Sequence, residues 1–104
     1  MGKHYRIIIM PEASSDLISI FEFVESASPQ NARELAKRLF DAIDSLEWFP
    51  HRNRVHRSAK RPSRIVHSMT VAPHIVYYRI HETDAIVEVL TVRHGARKQP
   101  HRFK

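Results

Sequence analysis

Cysteine is absent from the 104-residue sequence, and glycine occurs only twice. Without cysteine the chain can form no disulfide and has no thiol chemistry, which suits a cytoplasmic protein. A hydrophobic content of 42% argues against a disordered chain. The apolar run at residues 7–10 is far too short for a signal peptide, and no run approaches the roughly 20 residues that span a bilayer. The length predicts one domain over residues 1–104.

Acidic residues are scarce in the second half of the chain. Residues 1–49 carry eight acidic and five basic residues, a net charge of −3, whereas residues 50–104 carry three acidic and twelve basic residues, a net charge of +9. This imbalance predicts an anionic partner for the second half, either nucleic acid or an acidic protein segment. A basic domain without such a partner is the alternative, because charge alone is a weak guide to binding.

Two apolar runs separated by a short polar turn occupy residues 74–92. Ile75, Tyr77 and Arg79 alternate with apolar side chains, so they fall on one face of an extended chain. Residues 86–92 are rich in β-branched side chains, and residues 81–84 have the length and polarity of a hairpin loop. Both runs contain few polar side chains, which predicts strands in the interior of a sheet that is covered on at least one face.

The first half of the chain predicts a strand followed by two helices. Residues 5–10 have strand composition, and their central isoleucines leave no polar face, which predicts a strand inside the sheet. Pro11 is well placed as the first residue of a helix, although Met10 is a poor N-cap. Ser28 and Pro29 interrupt the apolar helical spacing and restart it as a second helix that runs to about Trp48. So short a break predicts an antiparallel helical hairpin.

The remaining segments complete an α+β fold. Residues 51–64 contain six Lys or Arg and two His, and they predict a strongly cationic loop over residues 50–64. A strand follows at residues 65–71, and residues 99–104 predict a loose tail. The predicted order is β-α-α-β-β-β, a two-layer domain in which the helical hairpin packs on a four-stranded antiparallel sheet.

This order and several short motifs resemble the RelE/ParE superfamily of toxins from bacterial type II toxin–antitoxin modules. The resemblance spans about residues 5–97. Its motifs are Tyr5-Arg6-Ile7 before the first proline, Asp16-Leu17 with Ile20, Ser28-Pro29-Gln30-Asn31-Ala32, Phe49-Pro50, Val76-Tyr77-Tyr78-Arg79-Ile80, and Val89-Leu90-Thr91-Val92-Arg93-His94-Gly95-Ala96-Arg97. The His-Gly-Ala-Arg ending is most similar to the ParE branch.

The resemblance implies a growth-inhibiting toxin, with two possible targets. ParE-like members are associated with poisoning of DNA gyrase and need no hydrolytic site, and we expect this activity. RelE-like members cut mRNA in the ribosome, which is the alternative. A second alternative is an inactive homologue that acts only as co-repressor with its antitoxin. All three place the protein in the cytoplasm.

Metal-free RNA cleavage would need a base, an acid, and cations around the phosphate. The candidates for these roles are Arg79, His94, Arg97 and His101. By strand position, however, the third-strand arginine of RelE-like nucleases falls at His74, their last-strand arginine at Gly95, and their terminal tyrosine at His101. The set is not reproduced, so the resemblance favours a toxin that is not an enzyme.

The expected partner is a cognate antitoxin with a DNA-binding N-terminal part and an acidic C-terminal segment that becomes ordered on binding. Charge and resemblance together predict that this segment lies over the sheet and the helical hairpin. The predicted anion-binding residues are Arg52, Arg54, Arg64, Arg93 and Arg97.

Each candidate residue also has a purely structural interpretation. Arg79 could be a sheet-edge residue paired with Glu88 or Glu82, and His94 could hydrogen-bond a neighbouring backbone group at the strand end. Tyr77 and Tyr78 are more typical of the core and surface of one strand than of a catalytic site. The sequence has eight histidines, but the pairs His51/His56 and His94/His101 lack ligand-like spacing and have no cysteine or carboxylate nearby, so we expect no metal and no cofactor.

Overall fold

The computed structural model describes residues 2–96 and Phe103, and it contains two helices and five strands within them. Strand β1 spans Arg6–Ile9, and helices α1 (Pro11–Ala27) and α2 (Pro29–Asp44) follow it. Strands β2 (Val55–Arg57), β3 (Val66–Val71), β4 (His74–His81) and β5 (Ile86–His94) come after the helices. The predicted α+β architecture, a helical hairpin packed on a sheet, is confirmed, but the described sheet has five strands rather than the four predicted, and one of its strand pairs is parallel rather than antiparallel.

The five strands form one sheet in the order β1-β5-β4-β3-β2. Strand β1 pairs with β5 in parallel, and the other pairs are antiparallel. Strands β4 and β5 lie in the interior, as predicted. The prediction that β1 lies inside the sheet is wrong, because β1 borders only β5. Its three isoleucines are half-buried, which is what their apolar side chains indicate, whereas the edge position depends on backbone pairing with distant segments.

The helical hairpin has the capping that its sequence predicts. Met10 contributes no side-chain hydrogen bond to α1, and Pro11 is the first helical residue. Ser28 ends α1 and begins α2: its backbone N–H donates to Val24, and its side chain accepts from the Asn31 N–H at 3.2 Å. Helix α2 ends at Asp44, and a 3₁₀ turn, Ser45–Glu47, continues the chain to Trp48. One serine therefore serves both helices and fixes the bend between them.

The main core lies between the helices and one face of the sheet. Its fully buried members include Leu39, Leu46, Val76, Tyr78 and Val89. The opposite face, called here the open face, carries a second and smaller cluster. That cluster consists of Val66, Tyr77 and Leu90, against which Met10, Ile75 and Phe103 pack.

The basic segment is more ordered than predicted. Instead of a loop over residues 50–64, it contains two 3₁₀ turns, Pro50–Arg52 and Pro62–Arg64, with β2 between them. Although every side chain of β2 is exposed, its backbone pairs with β3, so that Val55 lies opposite His67 and Arg57 opposite Val66. An edge strand needs only backbone partners, so side-chain composition did not reveal it. The predicted loose tail 99–104 lies outside the described residues apart from Phe103.

A carboxylate from α1 stabilises an irregularity in β5. The register with β4 passes from Tyr77–Thr91 to Tyr78–Val89, which leaves Leu90 as an extra residue. Asp16 Oδ2 accepts hydrogen bonds from the Thr91 hydroxyl at 2.5 Å and the Val92 N–H at 3.0 Å. Asp16 therefore ties the first helix to the distorted part of the strand.

Among the residues that the structure describes, no helix has the length and apolarity needed to cross a membrane.

Candidate functional site

The open face carries most of the cationic side chains that the sequence singled out. Ile75, Tyr77 and Arg79 line this face of β4, as the alternation predicted. Arg93 of β5 lies opposite Ile75, and Glu88 of β5 lies opposite Arg79. Along this face, Arg93 lies near the C-terminal end of β5, Tyr77 lies in the middle, and Arg79 lies near the β4–β5 turn.

Arg79 is buried in the middle of the sheet, with 8% of its surface exposed. It belongs to an interior strand, so its interpretation as a sheet-edge residue is wrong. Burial lowers the pKa of Arg79, nearby Arg64 and Arg57 lower it further, and Glu88 acts in the opposite direction. Glu88, rather than Glu82, is its cross-strand neighbour.

A cavity of about 420 Å³ opens beside Arg79. Among the described residues of its wall, Arg57, Arg64 and Arg79 are cationic and none is acidic. The other described wall residues are Ser58, Ala59, Val66 and Phe103. This arginine pocket lies where β2, β3 and β4 run side by side, and it brings together residues from three separate parts of the sequence.

The two tyrosines of β4 are packed on opposite faces of the sheet. Tyr78 is fully buried in the main core, where its hydroxyl donates to the Pro50 carbonyl at 2.5 Å and accepts from Asn53 at 3.1 Å. Tyr77 is covered on the open face by the rings of His56 and Phe103, at centroid distances of 4.8 and 5.3 Å. Burial raises the pKa of both hydroxyls. The structure favours packing roles for both, although neither is a surface residue.

His94 lies at the opposite end of β4 and β5 from the arginine pocket. Its Nδ1 accepts a hydrogen bond from the Ala96 N–H at 3.1 Å, which is the strand-end role that the sequence suggested. The His94 ring also meets the ring of His74 at 5.4 Å between centroids. His74 is buried, and this burial lowers its pKa, as do the nearby His94 and Arg38.

Of the four residues proposed for nuclease chemistry, the two that the structure describes, Arg79 and His94, do not lie close together. His94 lies opposite His74, whereas Arg79 is five residues further along β4, a distance of about 16 Å at the rise of a strand. Proton transfer and phosphate binding at one scissile bond need groups within a few ångströms of the reacting atoms. Arg97 and His101 lie outside the described residues.

The predicted anion-binding arginines divide between two places. Arg54 and Arg93 are both close enough to Tyr77 to lower its pKa, and Arg64 lines the arginine pocket, so these three surround the open face. Arg93 is anchored there by a 3.1 Å hydrogen bond from its Nε to the Thr91 hydroxyl. Arg52 instead lies over the exposed ring of Phe49, at 5.5 Å from its centroid. Arg97 lies outside the described residues.

The sequence analysis did not identify two residues, Arg57 and Glu82, as members of charged clusters. Arg57 was counted only as part of a basic loop, but its position opposite Val66 brings it into the arginine pocket. Glu82 was assigned only to a turn, but its carboxylate accepts from Tyr5, Lys3 and His51. No local pattern could have revealed either cluster, since the partners are far apart in sequence. Among the described residues, no group of three or more His, Asp or Glu side chains could hold a metal ion.

Comparisons with known proteins agree with this architecture. A family model described as the ParE toxin of the type II toxin–antitoxin system parDE matches residues 7–99. Toxin RelE2 of Caulobacter vibrioides is 32% identical over 85 residues, which cover 82% of this chain and 89% of that protein.

Two solved structures share the fold at low sequence identity. The chromosomal ParDE toxin–antitoxin system from P. aeruginosa aligns with a TM-score of 0.67 at 16% identity, over 88% of this chain and 96% of that one. The archaeal RelE–RelB complex from Pyrococcus horikoshii OT3 aligns with a TM-score of 0.67 at 16% identity, over 91% and 99% of the two chains.

Proposed function

This chain belongs to the ParE toxin family of type II toxin–antitoxin systems, within the RelE/ParE superfamily, and from that premise we propose that it inhibits growth by binding DNA gyrase. A contact toxin of this kind needs a shaped and charged surface but no hydrolytic site. The proposed target lies in the bacterial cytoplasm.

The observation that carries this choice of target is the separation of the candidate catalytic residues. Arg79 and His94 lie at opposite ends of β4 and β5, and the position that corresponds to the third-strand arginine of the nucleases holds the buried His74. The position of their last-strand arginine holds Gly95, whose N–H donates to the Pro73 carbonyl at 2.7 Å. The described part of the chain therefore offers no assembled acid, base and cation set.

Growth and supercoiling assays test this proposal together. Expression of the chain without its antitoxin should arrest colony formation, and the purified chain should block supercoiling of a relaxed plasmid by gyrase. Normal colony growth would instead favour the inactive co-repressor. Unhindered supercoiling, accompanied by codon-phased cuts in translated mRNA, would refute the gyrase target.

The ribosome-dependent nuclease is kept as a second candidate because a relative that covers most of this chain is named Toxin RelE2. Exchange of His94 for alanine separates the two candidates. In a nuclease, loss of a general acid or base should reduce the cleavage rate by about 100-fold or more. In a contact toxin, the same exchange should change toxicity only as far as it changes affinity for the target.

We further propose that a cognate antitoxin silences the toxin through an acidic segment laid across the open face. The charge distribution supports this contact, since Arg54, Arg64 and Arg93 surround that face. An acidic segment is the electrostatic complement of such a surface. Arg52, beside Phe49, would extend the contact beyond this face. Arg97, the remaining anion contact predicted from the sequence, lies outside the described residues.

Calorimetric titration with the product of the adjacent open reading frame tests the antitoxin contact. Exchange of both Arg54 and Arg64 for glutamine should weaken binding by about tenfold or more and should reduce its salt dependence. The sequence-based expectation placed the segment over the helical hairpin as well, and Arg33, which is exposed on α2, tests that part of it. If the contact is confined to the open face, exchange of Arg33 for glutamine should leave the affinity unchanged. Equal losses in both variants would refute the assignment of the open face.

A further inference from the structure

A long stretch in the middle of the chain contains basic residues but no acidic ones. No Asp or Glu occurs from residue 48 to residue 81, whereas residues 52–64 contain six Lys or Arg. Glu82 reaches His51 at the start of this stretch, and Glu88 lies on β5, three strands away from β2. The six basic side chains are all exposed, and they define the basic edge: Arg52, Arg54, Arg57, Lys60, Arg61 and Arg64. They create a positive potential along one side of the molecule.

The backbone of the basic edge is ordered by hydrogen bonds to the rest of the sheet. The Arg54 carbonyl accepts from the Ser68 N–H at 3.0 Å, and the Asn53 carbonyl accepts from His67 Nδ1 at 3.2 Å. Strand β2 pairs with β3, and the 3₁₀ turn Pro62–Arg64 closes the segment. An anion that binds the basic edge therefore has little backbone to order, which favours binding.

The basic edge is poor in aromatic rings on which unpaired bases could stack. Residues 50–64 contain no Phe, Tyr or Trp. The His56 ring already contacts the ring of Tyr77 at 4.8 Å, and His51 is hydrogen-bonded to the Glu82 carboxylate. Proteins that bind single-stranded nucleic acid combine a basic groove with aromatic side chains. The basic edge therefore suits a phosphate backbone whose bases are paired.

We propose that the basic edge binds the phosphate backbone of double-stranded DNA. Duplex DNA carries one negative charge per about 1.7 Å of its axis. An extended acidic peptide carries at most one per residue, or about 3.3 Å, so DNA is the denser complement of closely spaced cations. The Asn53 amide, which could read a base, donates instead to the Tyr78 hydroxyl at 3.1 Å. Because phosphate contacts carry no sequence information, binding should not depend on base sequence.

The charge of the helical layer orients this contact. Helices α1 and α2 together contain seven acidic and three basic residues, so they repel phosphate while the basic edge attracts it. The surface also differs from the open face proposed for the antitoxin, although Arg54 and Arg64 border both. Lys60 and Arg61 belong to the basic edge alone. A test built on these two residues therefore leaves the antitoxin contact and the choice of target untouched.

Fluorescence anisotropy of a labelled DNA duplex of about 24 base pairs tests the inference on the full chain. The dissociation constant should be about 1–100 µM near physiological salt, and the logarithm of the affinity should fall with log salt at a slope of about −3 or steeper. The double exchange Lys60→Gln with Arg61→Gln removes two phosphate contacts. It should reduce the slope by about 1.8 and weaken binding about tenfold or more at about 0.1 M salt.

A second double exchange, Arg33→Gln with Lys37→Gln, is the matched control. It removes one Arg and one Lys from exposed positions on α2, and it should change the slope by less than about 0.5. Thermal unfolding checks that each variant is folded. If the Lys60 and Arg61 variant is not, Arg57→Gln replaces it, with an expected reduction in slope of about 0.9.

The same assay identifies the results that contradict the inference. Absence of duplex binding, equal changes of slope in the two double variants, or a preference of about tenfold between two unrelated sequences would overturn it. Tighter binding of a single strand of the same length would point to unpaired bases instead, and tighter binding of an RNA duplex would point to RNA. Displacement of the duplex by poly-glutamate at an equal concentration of charges would replace DNA with an acidic protein segment.

Discussion

Glu82 in the β4–β5 turn joins three distant parts of the chain, and its removal gives a sharp test of how the fold is held together. Its carboxylate accepts hydrogen bonds from the Tyr5 hydroxyl at 2.8 and 3.0 Å, from Lys3 at 3.2 Å, and from His51. The hydrogen bond from His51 contributes most to lowering the pKa of Glu82, which falls to about 2.

The expected contribution to stability follows from that pKa after correction for solvent. A shift from 4.5 to about 2 would correspond to about 3 kcal/mol if the site were shielded from water. The Glu82 side chain is 47% exposed, however, and exposed ion pairs rarely contribute more than about 1 kcal/mol. We therefore expect Glu82→Gln to lower the free energy of unfolding by about 1 kcal/mol, which corresponds to a fall of about 4–8 °C in Tm.

The sign of the pH dependence distinguishes this cluster from ordinary packing. Because the pKa of Glu82 is lower in the folded chain, its stabilisation is fully present above pH 4.5 and is lost as the pH falls towards about 2. The difference in unfolding free energy between wild type and Glu82→Gln should therefore shrink over this range.

Urea unfolding followed by circular dichroism at several pH values measures this difference. Asp84→Asn, in the same turn, is the matched control and should change stability by less than about 0.5 kcal/mol. A wild-type advantage that stays constant from pH 6 to pH 2 would refute the electrostatic account, and so would an equal loss in the Asp84 variant.

Three further predictions follow from single contacts. Asp16→Ala should lower the free energy of unfolding, measured in urea, by about 2–4 kcal/mol, because it leaves the Thr91 hydroxyl and the Val92 N–H without their acceptor. A loss below about 1 kcal/mol would contradict this account. Gly95→Ala would place a Cβ 3.2 Å from the Pro73 carbonyl oxygen, and the required adjustment should cost about 1 kcal/mol, so an unchanged Tm would refute a tight approach. His74 has a lowered pKa, so its folded state resists protonation and stability should fall as the pH drops below 6.5. His74→Gln should show a smaller fall between pH 7 and 5, and an identical pH profile would contradict the assignment.

The local pattern of the sequence was sufficient to predict the two helices and which side chains share a face of the sheet. Helical spacing and the Ser28–Pro29 restart predicted both helices, and Ser28 is indeed the shared cap. Alternation over residues 75–80 placed Tyr77 and Arg79 on one face, where they lie. These features could be predicted because the periods of 3.6 and 2 residues, together with capping, are properties of neighbouring residues.

The candidate site was predicted less completely. The sequence identified Arg64 and Arg79 separately, one as an anion contact and the other as a phosphate-binding residue. The structure brings both into one pocket with Arg57, and it separates Arg79 from His94 by five residues of strand. No periodicity carries this information, because the three arginines meet only through the pairing of β2 with β3 and of β3 with β4.

The sequence by itself therefore determined the two helices, four of the five described strands, their order, the covered faces and the basic character of the second half. Only the tertiary structure decided that β1 lies at an edge, that β2 exists, and which charges become neighbours. The physical reason is that apolar periodicity records which side of an element is shielded from water. Strand neighbours and their register depend instead on backbone hydrogen bonds between segments far apart in the chain.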